Sequence, residues 1–172
     1  YAYKRTITTS QEVPMMGRSE TVSTSWGYTS ISFYDDQLWF TEYGCHVETT
    51  GSSMIEVEIP DIIAQTIEPE AVAMRVWKDG ETIHWERPET VTLLGVRLDD
   101  PLRDELPESP SDSRVFDQDG DGNPGITVKI DGFISGDLYV VQRTTNTYTG
   151  TVNGENLLGS IEEYGEQKVL GS

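Results

Sequence analysis

Residues 71–86 read AVAMRVWKDGETIHWE, and this stretch decides the fold class. Apolar side chains recur at every second position through residues 72–77, and the alternation resumes over residues 82–86. Asp79-Gly80 stands between the two runs. Asp-Gly at this place favours a two-residue type I′ turn, because both central residues of that turn need positive φ. The stretch therefore predicts an antiparallel β-hairpin.

The same period of two recurs along most of the chain. Ile55, Val57 and Ile59 share one face of residues 54–59, and glutamates occupy the other. Helical periodicity is confined to residues 60–65, where Asp61 is the predicted N-cap. Further strands are predicted over residues 31–34, 38–41, 91–98, 126–130, 138–143 (extending towards 151), 156–161 and 167–170, with turns at Asp35-Asp36 and Asn153-Gly154 and a β-bulge near Gly95.

This spacing of strands predicts one all-β domain over residues 1–172. An antiparallel meander that forms a barrel or a sandwich is the expected architecture. Residues 99–125 break the pattern with four prolines and nine acidic side chains against Arg103 and Arg114. Irregular loops of this length inside a compact domain are typically functional or flexible.

Charge and composition exclude several classes of partner. The 172 residues carry 30 acidic and 12 basic side chains, a formal charge of −18, which repels nucleic acid and anionic lipid surfaces. No apolar run approaches the roughly 20 residues that span a bilayer, so no membrane span is expected. One cysteine, Cys45, excludes an internal disulfide. Because the chain starts at Tyr1 without Met, we expect a processed or longer natural chain.

Residues 117–125 read DQDGDGNPG and carry the one motif that points to a chemistry. Asp117, Asp119 and Asp121 alternate and are followed by a glycine, as in the first half of a calcium loop. Calcium prefers six to eight oxygen ligands, so three carboxylates converge on it only where the backbone curls, and Gly122 permits that turn. We expect Ca²⁺ here, with Asn123 offering its backbone carbonyl.

The calcium motif is incomplete. Position twelve, where an EF-hand has its bidentate Glu, is Val128 on a predicted strand, and no helix flanks the loop. The closing ligand is therefore expected from Asp112, Asp131 or Asp137, in that order, or from water. The alternative is a solvated Asp/Gly turn without an ion.

The Asp/Gly loop resembles the calcium loops of thrombospondin type 3 repeats and dockerins. The longer run over residues 115–128, together with residues 136–143, is similar to uncharacterised secreted or lipoprotein-type β domains of Gram-negative bacteria. The resemblance covers residues 91–172 and implies an extracytoplasmic location (secreted, periplasmic or cell-surface). A calycin-like (lipocalin-like) barrel is a fold analogy, although the Gly-x-Trp signature of that group is absent around Trp26.

The sequence predicts a non-enzymatic role. It contains none of the G-x-S-x-G, H-E-x-x-H, P-loop or dinucleotide-binding motifs, although 30 acids leave a carboxylate-based hydrolase open. The first hypothesis is an extracytoplasmic domain that calcium stabilises. The second is a cavity lined by aromatic side chains such as Trp26, Trp39 and Trp85, which binds a glycan or a small apolar molecule. The third is a subunit of a surface or filament assembly that pairs with neighbouring subunits through edge strands.

Overall fold

A computed structural model describes residues 1–13, 17–50, 55–58, 60–132 and 135–172. Within them lie nine strands and one helix. The elements are β1 (Ala2–Val13), β2 (Gly17–Tyr34), β3 (Gln37–Thr50), β4 (Ile55–Glu58), α1 (Asp61–Thr66), β5 (Ala71–Asp79), β6 (Thr82–Leu94), β7 (Ile126–Gly132), β8 (Gly136–Asn153) and β9 (Asn156–Gly171). The all-β prediction is confirmed.

All the strands belong to one antiparallel sheet. Its order is β1-β2-β3-β5-β6-β8-β7-β4, and β9 pairs with β8. Within the described residues β1 pairs with β2 alone and β9 with β8 alone, so the sheet is not closed. The antiparallel meander is confirmed, and among the described strands the sheet does not close into the predicted barrel.

The hairpin turns follow the prediction with a shift of one residue. β5 and β6 are joined by Gly80 and Glu81 rather than by Asp79-Gly80, and of these two residues Gly80 alone has positive φ, at 58°. The Asn153-Gly154 signal behaves in the same way, since Asn153 is the last paired residue of β8. At Asp35-Asp36 both residues have positive φ, 53° and 56°, as a type I′ turn requires.

Two segments leave the sheet and return to it, one between β4 and β5 and one between β6 and β7, and we call them excursions. A lane is the position in the sheet that one strand, or two successive strands, occupies. Leu94 at the end of β6 pairs with Gln142, and Ile126 at the start of β7 pairs with Val140, so β7 continues the lane of β6. The chain leaves this lane at Gly95, so it does not continue along the sheet through the β-bulge that was predicted near Gly95. β4 and β5 pair with β7 and β6, and the chain between them carries α1. The side chains of β4, and Met54 and Ile59 of its predicted range, lie outside the described residues.

The sheet curls strongly. Arg5 on β1 donates a hydrogen bond to the Tyr148 hydroxyl on β8, although four strands separate the two in the sheet order. One buried cluster fills the inner face near the hairpin turns and contains Phe40, Met74, Trp85 and Tyr148. Trp85 stacks on Phe40 there, whereas Trp77 stacks on its cross-strand neighbour His84.

Helix α1 fills the other end of the inner face. It begins after Pro60, which supplies no side-chain cap, so Asp61 is the first helical residue rather than the predicted N-cap. Ile63 is buried and packs with Ile126 and Val140. The last residue of the helix, Thr66, accepts a hydrogen bond from the Gln118 side chain.

Candidate metal centre in the acidic loop

The acidic loop, residues 95–125, leaves and re-enters the sheet at one point. Phe116 N donates to Gly95 O at 3.1 Å, and Gly125 N donates to Phe116 O at 3.1 Å. Gln118 N donates a third hydrogen bond, 3.0 Å long, to Gly125 O. We call this meeting point of the two ends of the loop the neck. The segment contains turns and isolated bridges but no helix or strand, as its composition predicts.

The Gln118 side chain ties the neck to helix α1. Its Oε1 accepts a hydrogen bond of 2.6 Å from Gly95 N, and its Nε2 donates to Thr66 Oγ1 at 3.2 Å. Gln118 stands between two of the predicted metal ligands. A change in the conformation of residues 117–125 would therefore alter the contact between the acidic loop and α1.

The first half of the loop is packed against the outer face of β8 and β9. Val96 and Leu106 form a buried cluster with Val141 and Leu170. Arg143 Nη1 donates to two loop carbonyls, Pro101 O at 3.0 Å and Asp104 O at 2.8 Å. The motif at residues 117–125 is thus carried by an anchored segment.

The structure brings three predicted ligands together. One carboxylate oxygen from each of Asp117, Asp119 and Asp121 lies within 4.8 Å of the other two. In the described part of the chain this is the one group of at least three acidic, histidine or cysteine side chains with metal-ligand spacing. All of its side-chain donors are oxygens, the ligand type that hard cations prefer.

The Asp117 carboxylate accepts backbone hydrogen bonds from residues that follow it in the loop. Its Oδ1 accepts hydrogen bonds from Gly120 N at 2.7 Å and Asp121 N at 3.2 Å, and its Oδ2 accepts one from Gly122 N at 2.9 Å. Gly120 and Gly122 have φ of 77° and 90°, a region that favours glycine. The predicted turn at Gly122 is present, and Gly120 supplies a second one that the motif did not indicate.

Thr127 at the start of β7 holds the other two carboxylates. Its backbone N–H donates to Asp119 Oδ2 at 2.8 Å, and its hydroxyl donates to Asp121 Oδ2. The hydroxyl bond is the main cause of a lowered pKa at Asp121. Sequence reasoning missed Thr127 because it reads as an ordinary strand position; its signal was a β-branched hydroxyl six residues after Asp121.

One carboxylate oxygen of Asp119 has an unusual environment. Its Oδ1 is buried and has no hydrogen-bond partner among the described residues. Burial raises the pKa of Asp119, and the neighbouring Asp121 charge adds to the rise. A buried acceptor without a partner costs free energy, which a bound cation would offset.

The remaining predicted ligands lie outside this group of three carboxylates. Asn123 Nδ2 donates to Asp121 Oδ2 at 3.1 Å, so its side chain braces the loop, and its backbone carbonyl remains the predicted ligand. Asp112 pairs with Arg114, at 3.0 Å to Nε and 2.8 Å to Nη2, and these bonds lower its pKa to about 2. Asp137 is exposed on β8 opposite Lys129, and the side chain of Asp131 lies outside the described residues.

No protein-family model, curated protein or solved structure matches this chain. The likeness to calcium loops and to secreted β domains therefore stays a prediction from the sequence. Among the described residues, the helical part offers no segment with the length and apolar character for a bilayer crossing.

Proposed function

We propose that this chain is an extracytoplasmic, non-enzymatic β domain whose acidic loop is stabilised by one calcium ion. Asp117, Asp119 and Asp121 are the proposed side-chain ligands, and the Asn123 carbonyl and water complete the coordination. The observation that carries the proposal is at Asp119, whose buried Oδ1 has no hydrogen-bond partner among the described residues and whose carboxylate lies beside two others.

Several features favour calcium over other divalent ions. The donors are carboxylate oxygens, and thiolate or imidazole ligands, which zinc prefers, are absent from the described group. Magnesium demands near-ideal octahedral geometry, whereas calcium accepts irregular oxygen shells with carbonyl and water ligands. A loop with two positive-φ glycines and three aspartates supplies such a shell.

The proposed role of the ion is structural. Asp117 is occupied by three loop N–H groups, and Asp119 and Asp121 are bonded to Thr127. A cation among them would neutralise their repulsion and fix the loop to the start of β7. For an open site of this kind we expect a Kd of about 10⁻⁴–10⁻³ M, the range of extracellular calcium modules.

Thermal unfolding in calcium chloride and in chelator tests the proposal. At a calcium concentration of about 100 Kd, the native state should gain about 2.7 kcal/mol. Asp119→Asn should abolish the calcium-dependent rise in Tm. Glu162→Gln, which neutralises one exposed carboxylate on β9, is the matched control and should keep the rise. Identical melting curves of the wild type in calcium and chelator, without calorimetric heat on calcium addition, would contradict the proposal.

A further inference from the structure

A large polar cavity occupies the inner face of the curled sheet. Its volume is about 1450 Å³, and it lies between the Phe40 cluster at the hairpin end and Ile63 of α1 at the other end. Side chains from β1, β2, β3, β6, β8 and β9 line it. The curl of the open sheet creates this space, because two apolar clusters fill the ends and leave the middle without a core.

The lining is rich in hydroxyl and amide groups. Along β8, Gln142, Thr144 and Asn146 point into the cavity at alternate positions, and Thr90 and Thr92 stand beside them on β6. Trp26, Trp39 and Trp85 are not among the lining residues, so the cavity is not the tryptophan-lined pocket that the sequence suggested. Such walls suit a ligand that both donates and accepts hydrogen bonds.

Three arginines line the cavity, of which Arg97 is exposed and stacks on Phe116. The other two, Arg5 and Arg87, are paired very differently. Arg5 bonds to Glu42 at 2.8 Å and to Ser25 Oγ at 3.0 Å. Arg87 is 7% exposed, and among the described residues its only hydrogen bond goes from Nη2 to Asn146 Oδ1. Its Nε is buried without a partner, and no described carboxylate lies within ion-pair distance of it.

Packing explains the position of Arg87 but leaves its charge and most of its donors unmatched. The guanidinium carbon lies 3.8 Å from the centre of the Tyr148 ring, a cation–π contact that orients the group on the cavity wall. A guanidinium has five N–H donors in a fork that fits a carboxylate. Burial lowers the pKa of Arg87, and the more distant carboxylates of Glu42 and Glu70 offset only part of that effect.

We propose that this cavity binds a small, hydroxyl-rich monocarboxylate, a sugar acid, with its carboxylate on Arg87. The hydroxyl groups of the ligand meet the threonine and amide side chains of β6 and β8. Arg87 is the buried cation of the lining without an ion pair among the described residues, and one such cation takes one carboxylate. Polyanions are disfavoured, because the chain carries a charge of −18 and five glutamates also line the cavity, namely Glu42, Glu68, Glu70, Glu163 and Glu166.

Titration calorimetry with sodium glucuronate tests this site, with glucose and acetate as comparison ligands. Glucose has the hydroxyls without the carboxylate, and acetate has the carboxylate without the hydroxyls. We expect saturable binding of glucuronate below about 50 mM and at least tenfold weaker binding of the other two, because each lacks one set of partners. The site does not require calcium, so its failure and that of the calcium proposal are separable.

Variants separate a ligand role of Arg87 from a purely structural one. Arg87→Gln should weaken glucuronate binding at least tenfold, whereas Arg75→Gln, at an exposed arginine on β5, should leave it unchanged. If Arg87→Gln does not fold, Thr92→Glu decides, since it places a repelling carboxylate in the cavity; Thr92→Gln is its neutral control. The proposal is overturned if glucuronate does not bind, if glucose binds equally well, or if Thr92→Glu leaves the affinity unchanged.

Discussion

Gly95 and Gly125 lie in contact at the neck of the acidic loop. A Cβ on Gly95 would stand 2.5 Å from the Cα of Gly125, and both residues have positive φ, 70° and 88°. Gly125 in turn has no room for a side chain, because its Cβ would stand 2.2 Å from Val140 O. The two glycines allow the chain to leave the lane of β6 and resume it as β7 without displacing β8.

Gly95→Ala should therefore destabilise the domain by about 2–4 kcal/mol, since it combines a clash with backbone and an unfavourable φ. Gly80→Ala is the matched control: Gly80 also has positive φ, but a Cβ there meets nothing within 4 Å. We expect it to cost about 1 kcal/mol. Urea unfolding measures both, and equal costs would show that the neck contact is unimportant.

Local sequence signals located many of the strands and turns from residue 31 onwards, but no strand was predicted over residues 1–30, where β1 and most of β2 lie. Alternation of side chains locates β5 and β6, and Asp35-Asp36 forms the expected turn. The shift at Gly80 and Gly154 has a local cause. Glycine takes the first turn position at both sites, with positive φ, and the preceding Asp79 and Asn153 stay paired in the strands.

The architecture was not predictable from those signals. Curling brings Arg5 to Tyr148, two residues far apart in the sequence, and no local pattern encodes that contact. Likewise, the three aspartates of the motif were visible in the sequence, but Thr127 and Gln118 were not, because their roles depend on where β7 and α1 meet the loop.

The apolar cluster at the hairpin end depends on Trp85. Its ring packs over Gly150 and Gly159, where a Cβ would stand 2.7 Å and 2.8 Å from ring atoms, and it stacks on Phe40. Trp85→Ala should cost about 3–5 kcal/mol. Trp77→Ala, at a tryptophan that is 46% exposed on the outer face, should cost about 1 kcal/mol or less. Comparable losses of stability in the two variants would contradict this packing.

Gln118→Ala should destabilise the neck by about 1–3 kcal/mol, because it leaves the Gly95 N–H without its acceptor. Gln65→Ala is the control at an exposed glutamine of α1, whose bond to Cys45 O is 3.5 Å long. Hydrogen exchange at the Gly95 amide provides the specific readout. Unchanged protection of that amide in Gln118→Ala would contradict the assigned contact.

His46 adds a pH dependence to the attachment of α1. Its Nδ1 lies 2.7 Å from Asp61 Oδ1, and hydrogen bonds to the Asp61 and Glu48 carboxylates raise the pKa of His46 above its ordinary 6.5. A raised pKa in the folded state stabilises it fully below pH 6.5, and this contribution is lost as the pH rises through the raised value. The urea midpoint should therefore fall slightly above pH 6.5.

His46→Gln and Asp61→Asn should both remove that step, whereas His84→Gln, which leaves His46 and its carboxylates in place, should retain it. A step of equal size in His46→Gln would assign it to another group. Because the pair is exposed, the effect is expected to be small and to shrink at high salt.

If both proposals hold, calcium and the sugar acid should bind cooperatively. Gln118 lies between the proposed ligands Asp117 and Asp119, lines the cavity, and donates a hydrogen bond to Thr66, which also lines it. An ion that orders residues 117–121 fixes this wall, so calcium should tighten glucuronate binding about fivefold, and glucuronate should tighten calcium binding by the same factor. Gln118→Ala should reduce both factors towards one while each ligand still binds alone. Equal glucuronate affinity in calcium and in chelator would show that the two sites are independent.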